Sequence, residues 1–279
     1  MSLYDTGIRP IVDNFLIEES KKLRDYQEYW SASSAGYCMR KVMFERLGVP
    51  HVETESDARK QRVFTAGHIF HDWIQGLTKE AGVSIAQEIE LLDDDLMIKG
   101  HFDDLVLIDG NLILLDYKTV NSRSFMWARK EKKATGEAKM SHYHRMQLGT
   151  YMYEIRKLQT ETVKPEWLDT FPLLTEARIC KIEKDTLMMD EQQLMWSPAL
   201  EKEVVGYWRT LNGYWKERKI PKCTCADFEG GFMAREGYNP YYFEGEPCSM
   251  KLFAKCKAEG TIKAYEEKSD ANVLQAPTA

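Results

Sequence analysis

Asp103, Asp116 and Lys118 interrupt two apolar runs in the stretch GHFDDLVLIDGNLILLDYKT, residues 100–119. Asp109-Gly110 lies between the runs and is a hairpin signal, because a type I′ turn needs positive φ at both central positions. With these two residues as the loop, Ile108 pairs with Asn111 and Asp103 falls opposite Asp116. Lys118 lies two residues further along, on the same face. Two opposed carboxylates on a buried sheet repel each other. Leaving buried ions uncompensated costs on the order of several kcal/mol each. Lys118 offsets one charge. A divalent cation would offset the rest, and hard carboxylate oxygens suit magnesium or manganese. The alternative is a structural Asp–Lys ion pair at a strand end, with Asp103 at the solvent edge. A three-residue turn would also break the pairing.

Leu105, Leu107, Leu112 and Leu114 complete the carboxylate face. The other face carries Phe102, Val106, Ile108, Ile113 and Leu115. Both are mainly apolar, so the pattern predicts a sheet covered by helices on both sides. Apolar periodicity predicts amphipathic helices over 9–30, 36–47, 61–80, 141–158 and 199–218. Strands are expected from about 84 to 119, with "TEARICKIEKDTL" as an edge strand. The polar stretch WARKEKKATGEAKM, residues 127–140, reads as a mobile loop.

The chain has 279 residues, 43% of them hydrophobic, and a net charge of −6. A sizeable core is possible, but there is no general pull toward polyanions. Any such affinity must come from local basic segments and bound cations. No apolar run is long enough to span a membrane, and MSLYDTGIRP lacks the pattern of a signal peptide. The expected compartment is the cytoplasm, the host's if the gene is a phage's. Six cysteines there should be reduced, buried or metal-bound rather than disulfide-bonded.

Four motifs stand in order over residues 64–153: Gly67 and His71 in AGHIFHDWI, Gly100-x-x-Asp103, Asp116-x-Lys118, and Gln147 and Tyr151 in MQLGTYMY. In this the sequence resembles the PD-(D/E)XK nucleases, in the RecB-like branch that includes the CRISPR-associated RecB-like exonucleases. The resemblance implies a restriction-endonuclease-like α/β core, with a mixed central sheet flanked by helices. It implies that His71, Asp103 and Asp116 bind Mg2+ or Mn2+ with the Tyr117 carbonyl. Lys118 would orient or activate water and stabilise charge on the phosphate. Gln147 and Tyr151 would contact DNA or support the site. His68 is read as non-catalytic. Glu88 is either an assistant to a second metal or a solvated strand residue. Arg129, Lys130, Lys132 and Lys133 would track a DNA backbone with aromatics stacking on bases; the alternative is a solvated loop.

Cys38, in SASSAGYCMRKVMFERLG, matches the cysteine that opens the domain in the same branch. Members with an iron–sulfur cluster join it to three cysteines near the C-terminus. Cys223, Cys225 and Cys248 are the expected partners in a four-iron four-sulfur cluster, with Cys256 in reserve. The spacing between them departs from the tighter run usual in the family. A structural zinc site within 223–256, or plain reduced cysteines, are the alternatives. Cys180 is expected to be merely buried.

The expected organisation is an N-terminal helical segment (1–60), a nuclease core (61–220), a cysteine-rich element packing with the N-terminal segment (221–265) and a disordered tail (266–279). The expected activity is metal-dependent exonucleolytic hydrolysis of DNA, on single strands or free ends. A site- or structure-specific endonuclease and a non-catalytic DNA-binding protein are the alternatives. No membrane partner is expected, and the sequence names no protein partner.

Overall fold

The computed structural model describes residues 7–21, 28–46, 56–135, 140–219 and 221. Cys223, Cys225, Cys248 and Cys256, and with them the C-terminal element and tail, lie outside the described residues. The chain divides into two compact units, one of residues 1–23, 29–36 and 55–208, the other of 24–28, 37–54 and 209–279.

The first unit is a mixed α/β layer structure. Its elements are α1 (Ile8–Lys21), β1 (Trp30–Ser31), α3 (Ser56–Glu80), β2 (Ser84–Asp93), β3 (Ile98–Ile108), β4 (Asn111–Val120), α4 (Ser122–Thr135), α5 (His142–Thr160), β5 (Glu176–Glu183) and β6 (Met189–Met195). The first half of α6 (Pro198–Lys216) also belongs to it. In the second unit, α2 (Met39–Arg46) places the Arg46 guanidinium 4.1 Å from the centre of the Trp215 ring. Arg46 also donates to the Glu28 carbonyl. Cys38, just before α2, is buried and not in a disulfide.

The sheet begins with the Asp109-Gly110 hairpin. Both residues have positive φ, 51° and 76°, and Ile108 pairs with Asn111 as the turn chemistry requires. β2 runs antiparallel along one edge of β3. The other edge is shared: β1 pairs parallel at Ile98 and Lys99, and β4 antiparallel from Asp104 to Ile108. β4 then pairs parallel with β5, and β5 antiparallel with β6.

Helices cover both faces, as the two apolar faces require. Ile74 and Phe70 of α3 pack on Val106, Ile113, Leu115, Tyr117, Cys180 and Ile182. On the other face lies α5, backed by α6, where the Trp208 indole N–H donates to Thr150 Oγ1 at 3.0 Å. Gly149 permits this approach: a Cβ there would stand 2.9 Å from Leu200 and Val204 methyls.

Three expectations are corrected. The helix expected over 9–30 does not reach its end, because Trp30–Ser31 is strand. Trp30 is 1% exposed and its N–H bonds the Met97 carbonyl, so tertiary pairing overrides local periodicity. The stretch read as a loop from 127 is helical to Thr135. Phe125, 1% exposed, anchors that helix to the core, a contact a count of lysines does not reveal. Residues 136–139 are not described. β5 is not an edge strand, since β6, which the reading missed, covers it.

Candidate active site

Asp103 sits where β3 changes partner. β4 leaves β3 after the Asp104–Leu115 pair, so the expected main-chain pairing of Asp103 with Asp116 is replaced. Asp103 Oδ2 instead accepts the Tyr117 N–H at 2.7 Å. On its other side the Asp103 carbonyl accepts the side-chain amide of Gln75 at 2.8 Å. Its β2 neighbour Glu88 has φ of 51°, so the ladder is irregular here as well. The alternation of β3 slips at the same point. Gly100 lies against Ala32 and Tyr151, on the α5 side, while Asp104 four residues later bonds Thr78 of α3. The fork leaves a notch between β3 and β4 with a carboxylate on each wall.

Asp116, 2% exposed, forms the second wall. Its Oδ2 lies 2.7 Å from Lys118 Nζ, and its Oδ1 accepts the Gln147 amide of α5 at 3.0 Å. His71 of α3 places Nδ1 3.5 Å from Asp103 Oδ2. The α3 stripe that reaches the site is Gly67, His71 and Gln75, four residues apart, as one helix face requires. Thr119 Oγ1 of β4 lies 3.7 Å from where a Cβ on Gly67 would be, an ordinary contact distance. Tyr151 is buried one turn after Gln147, beside Gly100. The glycine of Gly-x-x-Asp is therefore required by packing: a Cβ would meet Ala32 Cβ at 2.6 Å and the Tyr151 ring at 3.1 Å.

Burial, and then the negative charge of Asp116, push the Asp103 carboxyl up to about 7, with Lys118 only partly opposing them. Burial acts to lower the Lys118 ammonium, but Asp116 and Asp103 together hold it above its ordinary value. Burial and the Lys118 charge lower His71, favouring a neutral imidazole able to act as a ligand. Burial and then the charges of Lys118 and Lys181 depress His144, on α5, to about 3.

Two carboxylates and one ammonium leave an excess of negative charge, which a hard divalent cation would relieve. Among the described residues, no three His, Cys, Asp or Glu side chains form a ready-made metal cage. That donor set still suits magnesium, which usually takes one or two carboxylates and completes its shell with water and substrate phosphate. The residues present fit such an ion.

Of the remaining expected residues, Glu88 is exposed and its Oε1 accepts Gln75 Nε2 at 2.7 Å. His68 is exposed, its ring 6.4 Å from that of His71. Arg129 and Lys130 are exposed on α4, which also carries Lys132 and Lys133. The sequence reading missed two residues. Gln75 was legible as the next step of the His71 stripe. Asp104 had no such signal. It is fully buried on the α3 side, accepting hydrogen bonds from Thr78 Oγ1 (2.6 Å), Ser84 Oγ (2.6 Å), Gln87 Nε2 (3.1 Å) and the Tyr117 hydroxyl (3.0 Å).

Fold and site together define a mixed α/β protein with a buried two-carboxylate, one-lysine notch at a sheet fork. No protein-family model matches the chain, and no curated protein does. Among solved structures it is similar to SSO0001, at 15% identity and TM-score 0.44, over 81% of this chain and 98% of that one. It is also similar to LHK-Exo in complex with dAMP, at 15% identity and TM-score 0.38, over 69% of this chain and 92% of that one. A further structure of LHK-Exo, an alkaline exonuclease from Laribacter hongkongensis, matches at 15% identity and TM-score 0.36, over 69% and 94%. Likenesses this distant assign no function. Among the described residues, no helix is long and apolar enough to cross a membrane.

Proposed function

We propose that the chain is a metal-dependent deoxyribonuclease of the PD-(D/E)XK type, hydrolysing phosphodiester bonds from single strands or free ends. The observation that carries this reading is the Asp103–Asp116–Lys118 notch, with Lys118 Nζ 2.7 Å from Asp116. Partly withdrawing an ammonium and the buried Asp116 carboxylate from water is costly as mere structure. The ammonium is useful where negative charge develops on a substrate oxygen, because a preorganised cation needs no reorganisation during the reaction.

Asp103, Asp116 and neutral His71, with the Tyr117 carbonyl, would hold Mg2+ or Mn2+. When bound, such an ion polarises the phosphate and acidifies water. The protein's own part is positional. Gln147 fixes the Asp116 rotamer, and the Tyr117 N–H fixes that of Asp103. Lys118 orients the attacking water and stabilises the charge that builds on the phosphoryl oxygens. Tyr151 supports Gly100 and the β3 wall from α5.

Incubation with linear and closed circular DNA, with magnesium or manganese, tests the reading. Degradation of the linear form alone is expected. Cutting of the circle would make the chain an endonuclease. Binding without cutting would make it a non-catalytic DNA-binding protein on this fold.

A further inference from the structure

The helix α4 leaves the catalytic strand after a single intervening residue, Asn121, and starts within five residues of Lys118. It is firmly held. Asn121 Oδ1 accepts the Ser124 N–H at 2.9 Å, and Ser122 donates to Glu183 at 2.7 Å. Phe125 is buried beneath it. Arg129 runs along the protein surface, its guanidinium 5.9 Å from the Phe125 ring and 3.5 Å from Met188 sulfur.

The outward side of this helix is different. Trp127 is 74% exposed. Arg123 and Lys130, both exposed, stand four residues before it and three after, on the same helix face. Scattered exposed apolar residues are ordinary. An exposed indole between two cations is not the average surface of a chain with net charge −6.

We infer that this face of α4 is a platform for single-stranded DNA, with Trp127 stacking on a base and Arg123 and Lys130 on the flanking phosphates. The inference rests on the nuclease reading and deepens it, because it names the form of substrate led toward the notch. Two features favour a single strand. A duplex hides its base faces, whereas every unpaired base offers one to an aromatic ring. The charge pattern also supplies cations at backbone positions on either side of the ring. The platform follows directly on the strand that carries Asp116 and Lys118, so one continuous segment bears both.

Binding of a short fluorescein-labelled oligo-dT and of a blunt duplex is measured by anisotropy in EDTA, so that nothing is cut. Trp127→Ala should weaken oligo-dT binding about tenfold and leave duplex binding unchanged, as loss of one stacked base predicts. Trp127→Phe should keep most of the affinity. Arg123→Ala and Lys130→Ala should flatten the salt dependence instead. Because Trp127 is exposed, these variants should fold, which circular dichroism checks. Unchanged oligo-dT affinity in Trp127→Ala overturns the platform, and so does an equal loss for both forms of DNA. If the platform fails while Asp116→Ala still abolishes cleavage, the nuclease reading stands alone. If the wild-type chain binds neither form and cuts neither, both fall.

Discussion

Asp103 Oδ2 accepts the backbone N–H of Tyr117 at 2.7 Å, so a side chain closes the β3–β4 ladder one step beyond its last main-chain pair. The bond needs an oxygen acceptor but not a charge. Asp103→Asn should therefore keep the hairpin and its melting temperature while losing roughly a thousandfold or more in cleavage rate. Asp116→Ala should lose as much activity. Near-normal activity in either variant, assayed with magnesium or manganese on linear DNA, would place the chemistry elsewhere.

Lys118→Ala should lower the cleavage rate but leave manganese binding intact or slightly tighter, since a positive charge 2.7 Å from Asp116 has gone. Calorimetric titration reads this directly. Complete loss of binding would mark Lys118 as the structural half of an ion pair.

Asp104 serves the fold rather than the notch. Asp104→Ala removes the acceptor of the Ser84 and Tyr117 hydroxyls, while Thr78 Oγ1 and Gln87 Nε2 keep the Gln75 carbonyl. Unsatisfied buried donors cost about 1–3 kcal/mol each, so denaturant unfolding should show a loss of at least about 2 kcal/mol. Asp104→Asn, which keeps one oxygen, should lose less. A neutral effect of Asp104→Ala would mean that water replaces the carboxylate.

Burial and then the charge of Asp93 push the Glu154 carboxyl up to about 8, from an ordinary value of 4.5. Between those values the folded chain holds a proton that the unfolded chain has released. Stability therefore falls as pH rises through this window and levels off above it. Glu154→Gln stays neutral and should lose that part of the slope, so its advantage over wild type should grow from pH 5 to pH 8. The raised Asp103 carboxyl acts with the same sign in both proteins and cancels in the difference. Parallel stability curves for the two would show Glu154 ionised in the fold.

Gly100→Ala should cost about 1–3 kcal/mol, the usual range for overpacking, because its Cβ would meet Ala32 Cβ at 2.6 Å. Ala32→Gly in the same chain should recover part of that loss. Absence of rescue in thermal melts would point to Tyr151, rather than Ala32, as the decisive clash.

The hairpin was legible from its turn as far as the Asp104–Leu115 pair because its turn chemistry and its period of two are local: Asp109-Gly110 alone set the pairing of Ile108 with Asn111. The helices that carry His71 and Gln147 were legible from their apolar periodicity over 61–80 and 141–158. The fork at Asp103 was not. The edge that β4 leaves is shared with a two-residue strand, Trp30–Ser31, which pairs at Ile98 and Lys99 from far away in sequence. No local pattern announces that β3 must share an edge. The same holds for Asp104, whose partners come from α3, β2 and β4, and for α4, whose helical state depends on burying Phe125. The lysines that made 127–140 look like a loop are compatible with a helix whose other face is anchored.

The edge strand β6 reads Met-Asp-Glu-Gln-Gln-Leu-Met, and β2 at the far side of the sheet carries Gln87, Glu88 and Glu90. A sheet margin invites a strand from another molecule, because its amides and carbonyls face outward unpaired. Acidic side chains on both margins make that approach mutually repulsive between copies of the chain. Among the described residues, a sheet dense in valine, leucine and isoleucine thus carries its own guard against stacking edge to edge into fibrils, at the margins formed by β2 and β6.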